Sequence, residues 1–92
     1  MKKNTSKPTV GQYLNEWRIS KEVSLKDFSK LTKMSVANLC DIEKGRTGVS
    51  PEKAEKIAKA MRIPPALLVR LAIEQSLRAS GLKYKVEIKS AS

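Results

Sequence analysis

Residues 24–45, SLKDFSKLTKMSVANLCDIEKG, decide the fold. They read as two short helices joined by a tight turn, with a capping signal in front of each. Ser24 can accept a backbone hydrogen bond at the start of the first helix, and Asp27, three residues on, sits in its first turn. Ser35 can do the same for the second helix. Gly45 can take the left-handed backbone that ends it. Leu25, Phe28 and Leu31 are expected to be buried from the first helix, and Leu39 and Ile42 from the second. The turn falls at Thr32 to Met34, and the second helix runs from Val36 to Lys44. This is the layout of a helix-turn-helix, whose second helix can lie in the major groove of DNA.

Outward from that core, the sequence predicts three more helices. Thr9 and Gln12 form a capping-box pair. Val10, Tyr13, Leu14 and Trp17 follow at helical spacing, in a helix running from Val10 to about Lys21. Ser50-Pro51-Glu52 is a strong restart, with a cap, a proline at the first helical position and an acidic first turn. The helix it opens carries Ala54, Ile57, Ala58 and Met61 on one face. Pro64-Pro65 breaks the chain and opens a fifth helix to about Ala79. Leu67, Leu68, Leu71, Ala72 and Gln75 form one stripe on it. Val69, Ile73 and Leu77 form a second. Both stripes could pack in one wide core; the reading favoured is that the second meets another subunit.

Two segments flank the helices. Residues 1–8 are polar and basic and are expected to be a disordered arm, either a frayed terminus or a contact to DNA phosphate. The ordered domain is placed at residues 9–79 and a tail at 80–92. After Ser80-Gly81, the residues Leu82, Tyr84, Val86 and Ile88 alternate with Lys83, Lys85, Glu87 and Lys89, which is a strand pattern. A lone strand leaves its backbone groups unpaired, so a copy from a second subunit is its simplest partner. Tyr84, Val86 and Ile88 then join Val69, Ile73 and Leu77 in a homodimer interface. The competing view is a flexible tail that alternates by chance. The fold class is thus all-α: five helices with a short C-terminal strand used in dimerisation.

Composition sets the chemistry. Ninety-two residues make one domain, and 40% hydrophobic content suffices for a small core. A core this small gains from a subunit interface. Nineteen Lys and Arg against nine Asp and Glu give a net charge of +10, which favours a polyanionic partner. The absence of His removes the commonest general base and the commonest metal ligand. One Cys permits neither an internal disulfide nor a Cys-rich zinc site. Cys40 reads as a small packing residue rather than a redox sensor, because no second Cys can resolve a sulfenate. No apolar run approaches a membrane span, and no apolar core follows Lys2 and Lys3 as in a signal peptide. The expectation is a cytoplasmic protein that is not an enzyme, needs no cofactor or metal, and binds no membrane.

From about Val10 to Met61 the chain resembles the lambda-repressor-like, or Xre-type, helix-turn-helix family. The residues that carry the likeness are Leu14, Arg18, Ser24, Phe28, Ser35, Leu39, Ile42, Glu43 and Gly45, with Ser50, Ile57 and Ala58 extending it. The resemblance implies a structural pair of Arg18 with Glu43. A carboxylate that follows the buried Ile42 also needs a partner on physical grounds. By the same resemblance, Val36, Ala37 and Asp41 face base edges, and Asn38 does so if it turns outward. Ser24, Leu25 and Lys26 lie at the phosphate-facing start of the second helix of the domain. Lys44, Arg46 and Thr47 continue the phosphate contact. The chain departs from the family at its base-facing positions, which often hold Gln, Arg, Ser or Asn, and at Lys33, where the turn usually has Gly. Val36 or Ala37 could touch a thymine methyl, and Asp41 could accept from cytosine.

Taken together, the sequence points to a DNA-binding transcriptional regulator, more readily a repressor, that occupies an operator on double-stranded DNA as a homodimer. The alternative is a protein-interaction module, or an antitoxin-like protein, that uses the same fold to hold a protein partner.

Overall fold

The computed structural model describes residues 9–82 together with 86 and 87. Its elements are five helices: α1 (Val10–Ser20), α2 (Leu25–Thr32), α3 (Val36–Glu43), α4 (Pro51–Met61) and α5 (Pro65–Ala79). The boundaries follow from the caps. Thr9 closes a capping box: its hydroxyl accepts from Gln12 N at 3.1 Å, while its own N–H donates to Gln12 Oε1 at 3.0 Å. Ser24, Ser35 and Ser50 accept from the backbone N–H groups of Asp27, Asn38 and Lys53. Each hydroxyl satisfies one of the donors that a helix start leaves unpaired.

Helix ends are set by chain reversals through left-handed backbone. Gly45 (φ 78°) and Gly81 (φ 82°) end α3 and α5. Glu22 (φ 57°), Lys33 (φ 61°) and Arg62 (φ 62°) do the same after α1, α2 and α4 without being glycine. Lys44 is therefore the C-terminal cap of α3 rather than its last residue. The turn at Lys33 is braced by hydroxyls. Thr32 Oγ1 donates to the Phe28 carbonyl and accepts from Met34 N at 3.3 Å, and Ser29 Oγ donates to the Met34 carbonyl. These bonds hold a turn whose glycine is missing.

All five helices share one core. It consists of Val10 and Leu14 from α1, Phe28 from α2, Leu39 and Ile42 from α3, Ala54, Ile57, Ala58 and Met61 from α4, and Leu68, Leu71 and Ala72 from α5. Helix α4 packs along α5, α1 rests on α3 and α5, and α2 rests on α3 and α4. Trp17 of α1 stacks obliquely on Phe28, with centroids 5.7 Å apart. Gln75 of α5 has a polar task rather than a place in an apolar stripe: its Oε1 accepts from Val10 N at 3.1 Å and so caps α1 from a distance. Leu31 corrects an expectation, for it is 50% exposed rather than buried. At 100° per residue, Leu25 and Leu31 flank Phe28 by 60° on opposite sides. Leu25 packs against the core and Leu31 does not.

Residues 1–8, and with them the N-terminal arm, lie outside the described residues, as do Tyr84 and Ile88 of the alternating tail. Leu82, Val86 and Glu87 are in neither helix nor strand. The backbone N–H of Val86 lies 3.5 Å from Oε2 of Glu74, a buried carboxylate on α5. No helix among the described residues is long and apolar enough to cross a membrane.

Candidate nucleic-acid interface

The site is built around α3. Leu39 and Ile42 sink into the core and fix the helix from one side. That turns Ala37 outward on the opposite side of the first turn, and Val36, about 60° from Leu39 at the edge of the buried face, is 41% exposed. Asn38 and Asp41 are half-exposed. Ala37 and Asp41 are four residues apart, hence on one face.

The far end of α3 is locked to α1 by a polar cluster. Arg18 Nε donates to Glu43 Oε2 at 2.8 Å, and Arg18 Nη2 donates to Oε1 at 3.0 Å. Asn15 Nδ2 donates to the same Oε1 at 2.9 Å, and Arg18 Nη1 donates to the Val23 carbonyl at 3.1 Å. The Glu43 side chain is only 6% exposed. Burial pushes its carboxyl pKa up, but the hydrogen bonds from Arg18 and Asn15 and the Arg18 charge outweigh that and hold it below the ordinary value. The Arg18 guanidinium is held above its ordinary value, chiefly by its hydrogen bond to Glu43. Glu43 is thus a spent carboxylate, with both oxygens occupied. It accepts three hydrogen bonds from α1 and ties the end of α3 to that helix.

The phosphate-facing candidates form two exposed groups. At the start of α2, Ser24 and Lys26 are exposed. Leu25 packs its side chain against the core, so only its backbone N–H can reach outward. After α3, Lys44, Arg46 and Thr47 are exposed. The Arg46 guanidinium is bonded to Asp41, from Nη1 to Oδ1 at 3.1 Å. Neither that link nor the contact of Asn15 with Glu43 follows from the family resemblance. Asn15 lies one turn before Arg18, a spacing of three that would have placed both on one face of α1. Cys40 is a half-exposed free thiol. Among the described residues, no group of His, Cys, Asp or Glu is arranged to hold a metal ion.

A helix-turn-helix family, HTH_3, matches residues 14–68, more than half of the chain. The chain belongs to that family. It is a lambda-repressor-like, Xre-type helix-turn-helix protein, a DNA-binding regulator in general terms. The matched span of this helix-turn-helix domain begins at the buried Leu14 and ends at the buried Leu68. It covers the whole α2–turn–α3 unit together with Arg18 and Glu43. No curated protein matches the chain.

Proposed function

We propose that this protein is a sequence-specific transcriptional regulator, acting as a repressor, that works in the cytoplasm on double-stranded DNA. It occupies an operator as a homodimer. The observation that carries this is the outward first turn of α3, with Val36 and Ala37 exposed on a helix anchored by Leu39 and Ile42. Exposed cations precede and follow α3 in the chain, Lys26 near the start of α2 and Lys44 and Arg46 at and after the end of α3.

In this reading α3 enters the major groove. Val36 and Ala37 make apolar contact with thymine methyls, Asn38 can donate to and accept from adenine, and Asp41 faces the groove with them. Ser24, the N–H of Leu25, Lys26, Lys44, Arg46 and Thr47 grip the backbone. The homodimer uses Val69, Ile73 and Leu77 of α5, all half-buried in the single chain, with Tyr84, Val86 and Ile88 of the tail. Two such domains would read half-sites about 34 Å apart.

The test is selection from random-sequence duplexes followed by gel shift over a salt series. Enrichment of a palindrome is expected. Removing Lys44 or Lys26 should weaken binding to all sequences alike and reduce the salt slope by about one. Val36→Gln should change the enriched motif and leave nonspecific affinity intact. No enriched motif, together with a stable complex between this chain and another protein, would overturn the reading in favour of a protein-holding module.

A further inference from the structure

Asp41 is an anomaly on a DNA-facing helix, because a carboxylate there repels phosphate. Its surroundings give it a different task. Gly45, at φ 78°, reverses the chain at the end of α3. Arg46 is thereby folded back over the last turn, where its N–H donates to the Asp41 carbonyl at 2.8 Å. Its guanidinium then donates from Nη1 to Asp41 Oδ1 at 3.1 Å. Arg46 is thus tied to one residue twice, once by backbone and once by side chain. The pair remains open to solvent, with side chains 62% and 40% exposed.

We infer that Asp41 is a positioning residue that aims Arg46 at a DNA phosphate, and that it does not read a base itself. The inference rests on the DNA-binding reading above and assigns one residue's role within it. A guanidinium carries five N–H donors in a rigid fork. The Asp41 bond uses one, so the others remain available to a phosphate oxygen. Without Asp41, Arg46 is a long flexible side chain that must be ordered on binding. With it, the fork is already oriented, and the aspartate charge is balanced by the cation it holds. In water such an exposed pair contributes little to stability. Its effect is therefore expected in binding, not in melting.

A double-mutant cycle separates this from the alternatives. Binding of the full chain to its selected duplex is measured over a salt series for the parent, Asp41→Ala, Arg46→Ala and the double variant. Melting temperatures are taken alongside and are expected to stay close to the parent. Asp41→Ala should weaken binding several-fold and lower the salt slope, although it removes a negative charge. Arg46→Ala should lower the slope by about one. In the Arg46→Ala background the sign should reverse: Asp41→Ala should then tighten binding, since an unpaired carboxylate beside DNA is purely repulsive. The selected motif should be the same for Asp41→Ala and the parent. Tighter binding of Asp41→Ala in both backgrounds would make Asp41 a plain repulsive charge and overturn the inference. A motif altered at one base pair would make it a base reader, with the same consequence. A parent chain that enriches no DNA would overturn the DNA-binding reading itself and this inference with it.

Discussion

The carbonyl group of Ile42 in α3 occupies the space that a β-carbon on Gly11 of α1 would need. The carbonyl carbon lies 2.9 Å and the Glu43 α-carbon 3.1 Å from that position. Helix α1 therefore rests on α3 backbone to backbone, and both neighbours are main-chain atoms that cannot swing aside. Close approach is also what lets Arg18, two turns along α1, reach Glu43.

Gly11→Ala should accordingly be strongly destabilising. In an open helix the change would help by roughly 1 kcal/mol. Here the clash dominates, and overpacking of this kind costs about 3 kcal/mol. Urea unfolding of the variant checks it. A midpoint at or above that of the parent would mean that α1 slides on α3 without loss.

Arg18→Met should remove about 3 kcal/mol, because Glu43 is left buried with Asn15 alone as its donor. Arg18→Met combined with Glu43→Leu should regain much of that loss. The pH dependence has a definite sign. The Glu43 carboxyl pKa is lowered in the folded state from an ordinary 4.5. Its contribution is therefore fully present above that value and is lost as pH falls below it through the folded pKa. Parent stability should drop across that acid window. In Arg18→Met only burial and the Asn15 bond remain, so the drop should shrink or vanish. Melting curves from pH 7 down to pH 3 on both proteins would read this directly, and parallel curves would contradict it.

Three helix ends carry the left-handed conformation on residues with a β-carbon: Glu22, Lys33 and Arg62. Such a residue costs about 1 kcal/mol relative to glycine. Lys33→Gly, Glu22→Gly and Arg62→Gly should each stabilise by several tenths of a kcal/mol up to roughly 1 kcal/mol, after the greater freedom of glycine in the unfolded chain is set against the gain. Gly45→Ala should destabilise by a similar amount, although nothing lies within 4 Å of its added β-carbon. Chemical denaturation of the four variants tests whether backbone strain, not contact, sets these ends.

Those ends also mark the limit of what the sequence discloses. Gly45 and Gly81 announce a stop because glycine tolerates positive φ, whereas Glu22 and Arg62 adopt it with nothing in their own side chains to announce it, and only Pro64-Pro65 marks the end of α4. The caps at Thr9, Ser24, Ser35 and Ser50 were legible because each bond spans three residues. The burial of Phe28, Leu39, Ile42 and the α4 face followed from helical period. Leu31 shares the period of Phe28 but falls on its exposed flank, and only tertiary packing decides that. The bond from Gln75 to Val10 links residues far apart in the chain, and periodicity carries no information about it; for Asn15, helical period places it on the face of Arg18 but does not name Glu43 as its partner. The pairing of Asp41 with Arg46 spans only five residues, but it falls outside helical period because it depends on the reversal at Gly45.

Assembly is the last consequence. Val69, Ile73 and Leu77 recur every four residues on α5, and all three are half-buried in the single chain. Leu82, just beyond the helix, is 44% exposed. Val86 lies against the same helix, with its N–H toward Glu74. A second copy could cover this strip and place two α3 helices on one side of a duplex, since a two-fold axis repeats the same patch on both partners. Truncation after Gly81 should shift sedimentation from dimer to monomer and weaken binding to a palindrome far more than to a single half-site. Ile73→Asp should do the same without shortening the chain, and circular dichroism would establish that the helices persist. A full-length chain that sediments as a monomer at micromolar concentration, and binds one half-site as tightly as two, would exclude the homodimer.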